Sequence, residues 1–171
     1  MDFKGEISVL YKMRFLENEG DNIEVFESIL NELANKGTND IIPDLCIIFE
    51  DHIAEPSAGD YLIETIFYIA EPSAGDYLIE TIFYIAEHSG VEEGLCKLAI
   101  SIPKMLPHAE FWVERIHRTL LDSKDLVVSY MNVLENINSS TKQIIKGILL
   151  EIREDDPDLY LEKVNLILEK L

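Results

Sequence analysis

The chain has 171 residues, of which 33 are Asp or Glu and 14 are Lys or Arg, so its formal net charge is −19. A surface this acidic argues against a nucleic-acid binder that works through basic contacts, because phosphate groups would be repelled. Apolar residues make up 47% of the chain, which is enough to form a hydrophobic core and argues against disorder.

Apolar residues recur at helical spacing, at positions i, i+3, i+4 and i+7, before the middle of the chain. One amphipathic helix is predicted from Ile7 to Leu16. A second runs from Ile23 to Leu33 and ends at Gly37, a residue typical of the left-handed conformation at helix ends. A third begins near Asn39 and carries Pro43 in its first turn, where proline is tolerated.

A tandem duplication follows, because residues 53–68 and 69–84 have the same sequence. The identity extends to nineteen letters, IAEPSAGDYLIETIFYIAE, offset by 16 positions. A letter-perfect copy indicates a recent duplication or an engineered insertion rather than an old repeat architecture. In each copy a serine precedes an aspartate by three positions, as in a capping box; the second copy has Ser73 and Asp76. The pattern predicts two short helices or one sharply kinked rod.

Helical spacing continues to the C terminus, and no strand-like alternation between Asn-Gly or Asp-Gly turns is found. The later helices are predicted over Val91 to Ile102, from Pro107 at a first helical position, from a cap at Asp122 or Ser123, from Ser139 or Ser140, and from Asp156-Pro157. The predicted fold is one all-α domain over residues 1–171 with about nine or ten helices. They stack as antiparallel pairs, in a short curved HEAT-like array or in a multi-helix bundle; the curved array is favoured, because about nine short helices cannot all line one bundle core.

The sequence contains no motif for nucleotide binding or catalysis. Its glycines fit neither G-x-G-x-x-G nor the P-loop spacing, and G-x-S-x-G, H-E-x-x-H and paired C-x-x-C are missing. Glu114 and His117 form one E-x-x-H, but a di-iron site needs a second copy. Cys46 and Cys96 are typical of small buried residues in a reducing compartment. We therefore predict no catalytic, cofactor-binding or metal-binding residues.

The charge of the chain predicts the sign of its partner. Over a Debye length of about 8–10 Å, an acidic surface attracts a basic protein and repels nucleic acid and anionic membranes. The same acidity could instead serve solubility alone. No stretch approaches the ~20 apolar residues that cross a bilayer, and no basic-then-apolar leader follows Met1, so a cytoplasmic protein is expected.

Three stretches share hydrophobic patterning and a few specific letters with a known family. They are IIPDLCIIFED (Ile41 to Asp51), YLIETIFYIAEHSG ending at Gly90, and LPHAEFWVERIHRTLLDSKDL (Leu106 to Leu126). Together, over roughly residues 20–130, the chain resembles the immunity protein 30 family, the antidotes encoded beside bacterial polymorphic toxins. The matching letters are Phe49-Glu50-Asp51, Phe83 to Glu87, Ala109-Glu110, Trp112 and Arg118.

The resemblance implies an immunity protein that neutralises a cognate, basic toxin domain by stoichiometric binding, with no cofactor and no turnover. The alternative is a HEAT-like scaffold that binds another basic protein or peptide, and a hydrolase with an unrecognised acidic site comes third. The expected partner contacts are the acids Glu50, Asp51, Asp60, Glu64, Glu92 and Glu93. Trp112 is expected in the core, and Arg118 is expected to pair with an internal carboxylate such as Glu50 or Glu87. The chain is expected to be a monomer or, through the duplication, a homodimer.

Overall fold

The computed structural model describes residues 3–16, 19–51 and 74–171, which form helices, turns and loops with no strand among them. The helices of these residues are α1 (Lys4–Met13), α2 (Ile23–Lys36), α3 (Ile42–Cys46), α4 (Ala74–Ser89), α5 (Val91–Met105), α6 (Glu110–Asp122), α7 (Lys124–Asn136), α8 (Ser139–Asp155) and α9 (Pro157–Leu168). The predicted all-α class is confirmed. Within the described ranges, no helix combines the length and the apolar character needed to cross a lipid bilayer.

The starts of the last three helices follow the capping chemistry of the sequence. Ser123 precedes α7, and its hydroxyl accepts a hydrogen bond from a backbone N–H three residues later, at 3.4 Å. Ser139 begins α8, with Asn138 as the capping side chain, which accepts a backbone N–H at 2.9 Å. Pro157 begins α9, where a residue without an N–H is tolerated. These boundaries confirm the predictions from the local sequence.

The structure differs from the predicted boundaries at Gly37 and at Pro107, and α1 ends at Met13 rather than at Leu16. Gly37 follows α2 with φ −74° and ψ 163°, so its backbone is extended rather than left-handed. Space explains the glycine instead, because a Cβ there would lie 2.4 Å from the Leu33 carbonyl oxygen and 2.6 Å from Ile41 Cδ1. Pro107 does not open a helix, since α6 begins three residues later, at Glu110. The group that caps α6 comes from a distant part of the chain and is described below.

The segment that follows α2 is short and largely buried. A 3-10 turn, Asn39–Ile41, leads into α3, and Pro43 lies in the first turn of that helix as predicted. α3 ends at Cys46, which is earlier than the apolar pattern suggests. Phe49, beyond the end of α3, is nevertheless 1% exposed. Burial raises the pKa of the Cys46 thiol to about 12, so this free cysteine is protonated near neutral pH.

Helix α4 is formed by the second copy of the duplicated sequence. Its side chains Leu78 and Ile85 are fully buried, and the helix packs against α2 and α5. The first copy, residues 53–68, lies outside the described residues, and so do the serines predicted to cap both copies, Ser57 and Ser73. The second copy therefore holds a core position in the described structure.

Helix α5 lies at the centre of the described helices. It contacts α3, α4, α6, α7 and α8, whereas α9 packs mainly on α8 and α1 packs on α2. In an elongated array each repeat contacts only its neighbours. The contacts of α5 with five other helices are therefore typical of a multi-helix bundle rather than of the curved array that the sequence favoured. The buried apolar side chains of the described residues form one continuous cluster around it.

Asn39 and two glycines fix the junction between α4 and α5. Gly90 has a φ of 114°, a backbone conformation that favours glycine. The Asn39 amide donates to the carbonyl oxygens of Ser89, at 3.1 Å, and Gly90, at 2.9 Å, and so satisfies the end of α4. A Cβ on Gly94 would lie 2.4 Å from the Cβ of Ala86 and 2.8 Å from its Cα. The two helices are therefore in close backbone contact.

Candidate partner-binding surface

Glu50, the first of the predicted partner contacts, is engaged within the chain. Its carboxylate lies 3.2 Å from the Nε atom of Arg14. Its backbone carbonyl oxygen accepts a hydrogen bond from Trp112 Nε1 at 3.0 Å. The Glu50 side chain is 31% exposed. A partner that used this carboxylate would have to compete with Arg14.

Asp51 caps helix α6. Its carboxylate oxygens accept the backbone N–H groups of Glu110, at 2.8 Å, and Phe111, at 2.9 Å, which are the first two residues of the helix. A negative charge at this end of a helix is stabilised by the helix dipole. The Asp51 N–H donates to the carbonyl oxygen of His108 at 2.9 Å. This segment, Phe49-Glu50-Asp51, is called the acidic turn, and its Asp51 holds the start of α6 in place.

The other predicted contacts are divided between the described structure and the rest of the chain. Asp60 and Glu64 lie outside the described residues. Glu92 and Glu93 are exposed in the first turn of α5. Glu92 accepts a hydrogen bond from a side-chain amide of α7 at 2.9 Å, and Glu93 forms an ion pair with Lys97 at 3.1 Å. Each described member of the predicted set thus has an internal partner.

Trp112 is buried, as expected. Its ring centroid lies 5.7 Å from that of Phe49. A Cβ on Gly75 would lie 2.2 Å from the Cη2 atom of the indole, so α4 can approach α6 only because residue 75 is glycine. The tryptophan of the family motif is therefore part of the core.

Arg118 pairs with internal carboxylates, but they are not the expected ones. Its guanidinium lies 2.6 Å from the carboxylate of Glu114 and 3.0 Å from that of Asp156, rather than beside Glu50 or Glu87. These contacts join α6 to the corner between α8 and α9. Arg118 therefore stabilises the packing of the last helices.

Glu114 and His117 do not form a common site, although they make the E-x-x-H of the sequence. His117 is 1% exposed; its Nδ1 donates to the carbonyl oxygen of Val113 at 2.7 Å, and its Nε2 accepts from the hydroxyl of Tyr130 at 3.1 Å. Burial lowers the pKa of His117 from 6.5 to about 4, so the ring is neutral near pH 7. Among the residues that the structure describes, no cluster of three or more His, Cys, Asp and Glu side chains is placed to hold a metal ion.

A groove of about 630 Å³ lies between α6 and α8. Its lining residues are Asp51, Leu106, Glu110, Phe111, Val113, Glu114, Ile144, Gly147, Ile148 and Glu151. The four residues from α8 follow the spacing i, i+3, i+4 and i+7, so they form one stripe along a single face of that helix. The groove is therefore built from two helix faces.

The groove combines exposed apolar surface with carboxylates that have no ion pair. Phe111 is 49% exposed, although the sequence pattern groups it with the buried residues of α6. Glu110 and Glu151 are exposed, and neither forms an ion pair with another described residue. None of these three residues is among the partner contacts predicted from the sequence. One feature of the sequence could have indicated this groove, namely Gly147, a glycine in the interior of a helix.

A second, smaller groove of about 400 Å³ lies between α2 and α4. It contains two carboxylates, Glu27 and Glu80. Its other lining residues are Leu30, Asn31, Ala34, Asn35, Tyr77, Thr81 and Tyr84. No glycine is among its lining residues. It provides a matched surface for comparison with the groove between α6 and α8.

The sequence model of the immunity protein 30 family matches residues 12–130, which is more than half of the chain. The match includes the acidic turn at Asp51 and helix α6 with Trp112 and Arg118, and it ends within α7. The α6 wall of the larger groove lies inside the matched range, and the α8 wall lies beyond it. Comparisons with curated proteins and with solved structures give no match.

Proposed function

This chain belongs to the immunity protein 30 family, and on that basis we propose that it neutralises a cognate bacterial toxin domain by binding it directly. The binding is stoichiometric, so that one chain occupies one toxin domain, and it requires neither a cofactor nor turnover. The toxin domain is basic, and the surface that contacts it is acidic. The complex forms in the cytoplasm of the cell that produces both proteins.

The net charge of the chain supports a basic partner. At −19, the field around the chain attracts positively charged proteins and accelerates their association, and it disfavours acidic ones. This attraction acts over about 8–10 Å at physiological ionic strength. The association should therefore weaken as salt is added.

The observation that carries the proposal is that two carboxylates of the α6–α8 groove, those of Glu110 and Glu151, form no ion pair with another described residue. Glu50, Asp51 and Glu114 already have internal partners. Glu110 and Glu151 are exposed and form no ion pair with another described residue. A cation that reaches them gains electrostatic energy without breaking an internal contact of this chain. These two carboxylates thus suit an intermolecular contact better than the acids of the turn do.

Neutralisation in this proposal is steric. A toxin that acts on a nucleic acid needs a cationic cleft for its phosphates. An acidic protein is attracted to such a cleft and, once bound, prevents the substrate from entering. A toxin with another substrate would be blocked in the same way if the complex covered its active site.

Co-expression with the toxin domain encoded by the neighbouring gene tests the proposed function. The chain should restore growth of cells that express this domain and should co-purify with it as a one-to-one complex, measured by size exclusion with light scattering. A toxin domain of unrelated sequence is the matched control and should not be neutralised. Growth rescue without a complex, or inhibition by far less than one chain for each toxin domain, would contradict stoichiometric binding.

A further inference from the structure

The floor of the α6–α8 groove contains a glycine that packing does not explain. Gly147 lies in the interior of α8, where only proline is less favourable than glycine. A Cβ placed on Gly147 would have no neighbouring atom of the described residues within 4 Å. At Gly75 and Gly94, by contrast, a Cβ would overlap a core side chain. In the described structure, the space above Gly147 is therefore open to an atom of a partner.

Apolar side chains surround this open space. Ile144 and Ile148 flank Gly147 on one face of α8, and Leu106 and Phe111 line the groove from the α6 side. Phe111 is 49% exposed, and the other three are partly buried. Exposed apolar surface within a concave site favours contact with an apolar group of a partner.

Carboxylates border this apolar surface on both helices. Glu110 stands in the first turn of α6, and Glu151 lies on the same face of α8 as Gly147. Lysine and arginine side chains combine an apolar stem with a charged head, so they match a groove of this kind along their whole length. Arginine also pairs with a carboxylate through two parallel hydrogen bonds.

We propose that the α6–α8 groove is the docking site for a segment of the toxin domain that carries an arginine or lysine next to an apolar side chain. The apolar group covers Gly147 and contacts Phe111, and the charged head lies between Glu110 and Glu151. This assignment rests on the proposed function, since the partner is the toxin domain. It goes further by naming the surface and the chemistry of the contact.

Charge argues against the two other candidate occupants. Residues 52–73 follow directly on Asp51, which lines the groove. Their charged side chains are Glu55, Asp60, Glu64 and Glu71, with no Lys or Arg. A second copy of the chain carries the same net charge of −19. Both would bring negative charge to a rim that is already negative, which disfavours binding.

Substitution of Gly147 tests the floor of the groove. The probe is the purified toxin domain encoded by the neighbouring gene, and its Kd is measured by isothermal titration calorimetry. Gly147→Gln fills the open space and should weaken binding about tenfold or more, as the loss of a central contact does. Gly5→Gln is the matched control and should bind within about twofold of the original chain, because Gly5 is an open glycine of α1 that does not line this groove. Thermal unfolding verifies that both variants are folded.

Substitution of the rim tests the charge. The double variant Glu110→Gln/Glu151→Gln should also weaken binding about tenfold. The matched control is Glu27→Gln/Glu80→Gln, which removes the same number of charges from the α2–α4 groove and should bind within about twofold. Because both double variants have the same net charge, a difference between them reports position and not overall charge.

The outcomes separate this inference from the proposed function. If the toxin domain binds the original chain and also binds Gly147→Gln and the Glu110/Glu151 variant equally well, the docking site is wrong and the proposed function stands. A larger loss for the Glu27/Glu80 variant would place the contact in the α2–α4 groove and would overturn the assignment as well. If the original chain is a dimer that Gly147→Gln dissociates, the groove belongs to a second copy. Failure of the original chain to bind the toxin domain would overturn the proposed function itself.

Discussion

The two faces of α6 differ in how closely they are covered. On one face, Trp112 is fully buried, and a Cβ on Gly75 would lie 2.2 Å from its indole ring. On the other face, Phe111 is 49% exposed beside a groove in which a Cβ on Gly147 would meet no described atom within 4 Å. A helical glycine thus marks close packing in one place and open surface in the other.

The comparison predicts opposite effects for one kind of substitution. A larger side chain at Gly75 forces α4 away from α6, and overpacking of a core costs about 1–3 kcal/mol or more. An alanine at Gly147 meets no obstacle and gains the better helix propensity of alanine, about 1 kcal/mol. The free energy of unfolding should therefore separate the face that maintains the fold from the face available to a partner.

The largest effect is expected for Gly75→Leu in a chain from which the duplication has been removed. Deletion of residues 53–68 or 69–84 gives the same 155-residue chain and leaves 6 residues between Asp51 and Ala74. Six residues can span about 20 Å, which is sufficient because Glu50 and Gly75 both contact Trp112. In this chain Gly75→Leu should lower the free energy of unfolding by about 3 kcal/mol or more. Urea denaturation measures the loss.

The full-length chain is the control for this prediction. Residues 58–71 repeat residues 74–87 letter for letter, so the full-length chain contains a second sequence that can make the contacts of α4. Gly75→Leu should therefore cost less in the full-length chain than in the 155-residue chain, and Gly59→Leu/Gly75→Leu should restore the full loss. Equal losses for the single substitution in both chains would show that the second copy cannot be replaced.

The next effect concerns pH and the buried face of α6. Burial lowers the pKa of His117 to about 4, whereas its ordinary value is 6.5. As the pH falls below 6.5, the unfolded chain binds this proton first, so the contribution of His117 to stability is complete above that pH and is lost toward pH 4. The loss between pH 7 and pH 5 should be about 2 kcal/mol. The measurement is urea denaturation across this range for the original chain and for His117→Gln.

The difference between these two chains isolates the histidine, because every other titrating group is common to both. His117→Gln keeps a neutral side chain at this position and should lack the His117 part of the pH dependence. Parallel stability curves for the two chains between pH 7 and pH 5 would mean that the pKa of His117 is not lowered by folding.

A smaller effect is expected at Asp51, which caps the first turn of α6. Asp51→Ala removes the acceptor of the Glu110 and Phe111 N–H groups and should lower the free energy of unfolding by about 1 kcal/mol. Asp51→Asn should recover part of this loss, since asparagine also caps helices. An alanine variant as stable as the original chain would argue against a capping role for Asp51.

The smallest effect has the opposite sign. Gly147→Ala should raise the free energy of unfolding by about 0.5–1 kcal/mol, because it replaces an exposed glycine in the interior of α8. Thermal unfolding of the two chains provides the measurement. A destabilised alanine variant would show that the space above Gly147 is needed by the fold rather than by a partner.

The sequence predicted those features whose signals are local. Ser123 and Pro157 indicate the starts of their helices, because the preferences for a capping serine and for a proline in the first turn depend only on neighbouring residues. Asp51 caps a helix that begins 59 positions later, and no local pattern contains that pairing. For the same reason the sequence did not place Phe111 and Glu110 among the expected partner contacts, since the groove exists only where α6 and α8 lie side by side.

The most direct test of the account compares the salt dependence of two complexes with the toxin domain encoded by the neighbouring gene. Kd is measured between about 50 mM and about 500 mM NaCl for the original chain and for Glu110→Gln/Glu151→Gln. We expect salt to weaken binding of the original chain strongly, and we expect binding of the variant to depend much less on salt. Affinity of the original chain that does not change with salt, or equal salt dependence of the two chains, would contradict an acidic groove as the surface that holds the toxin domain.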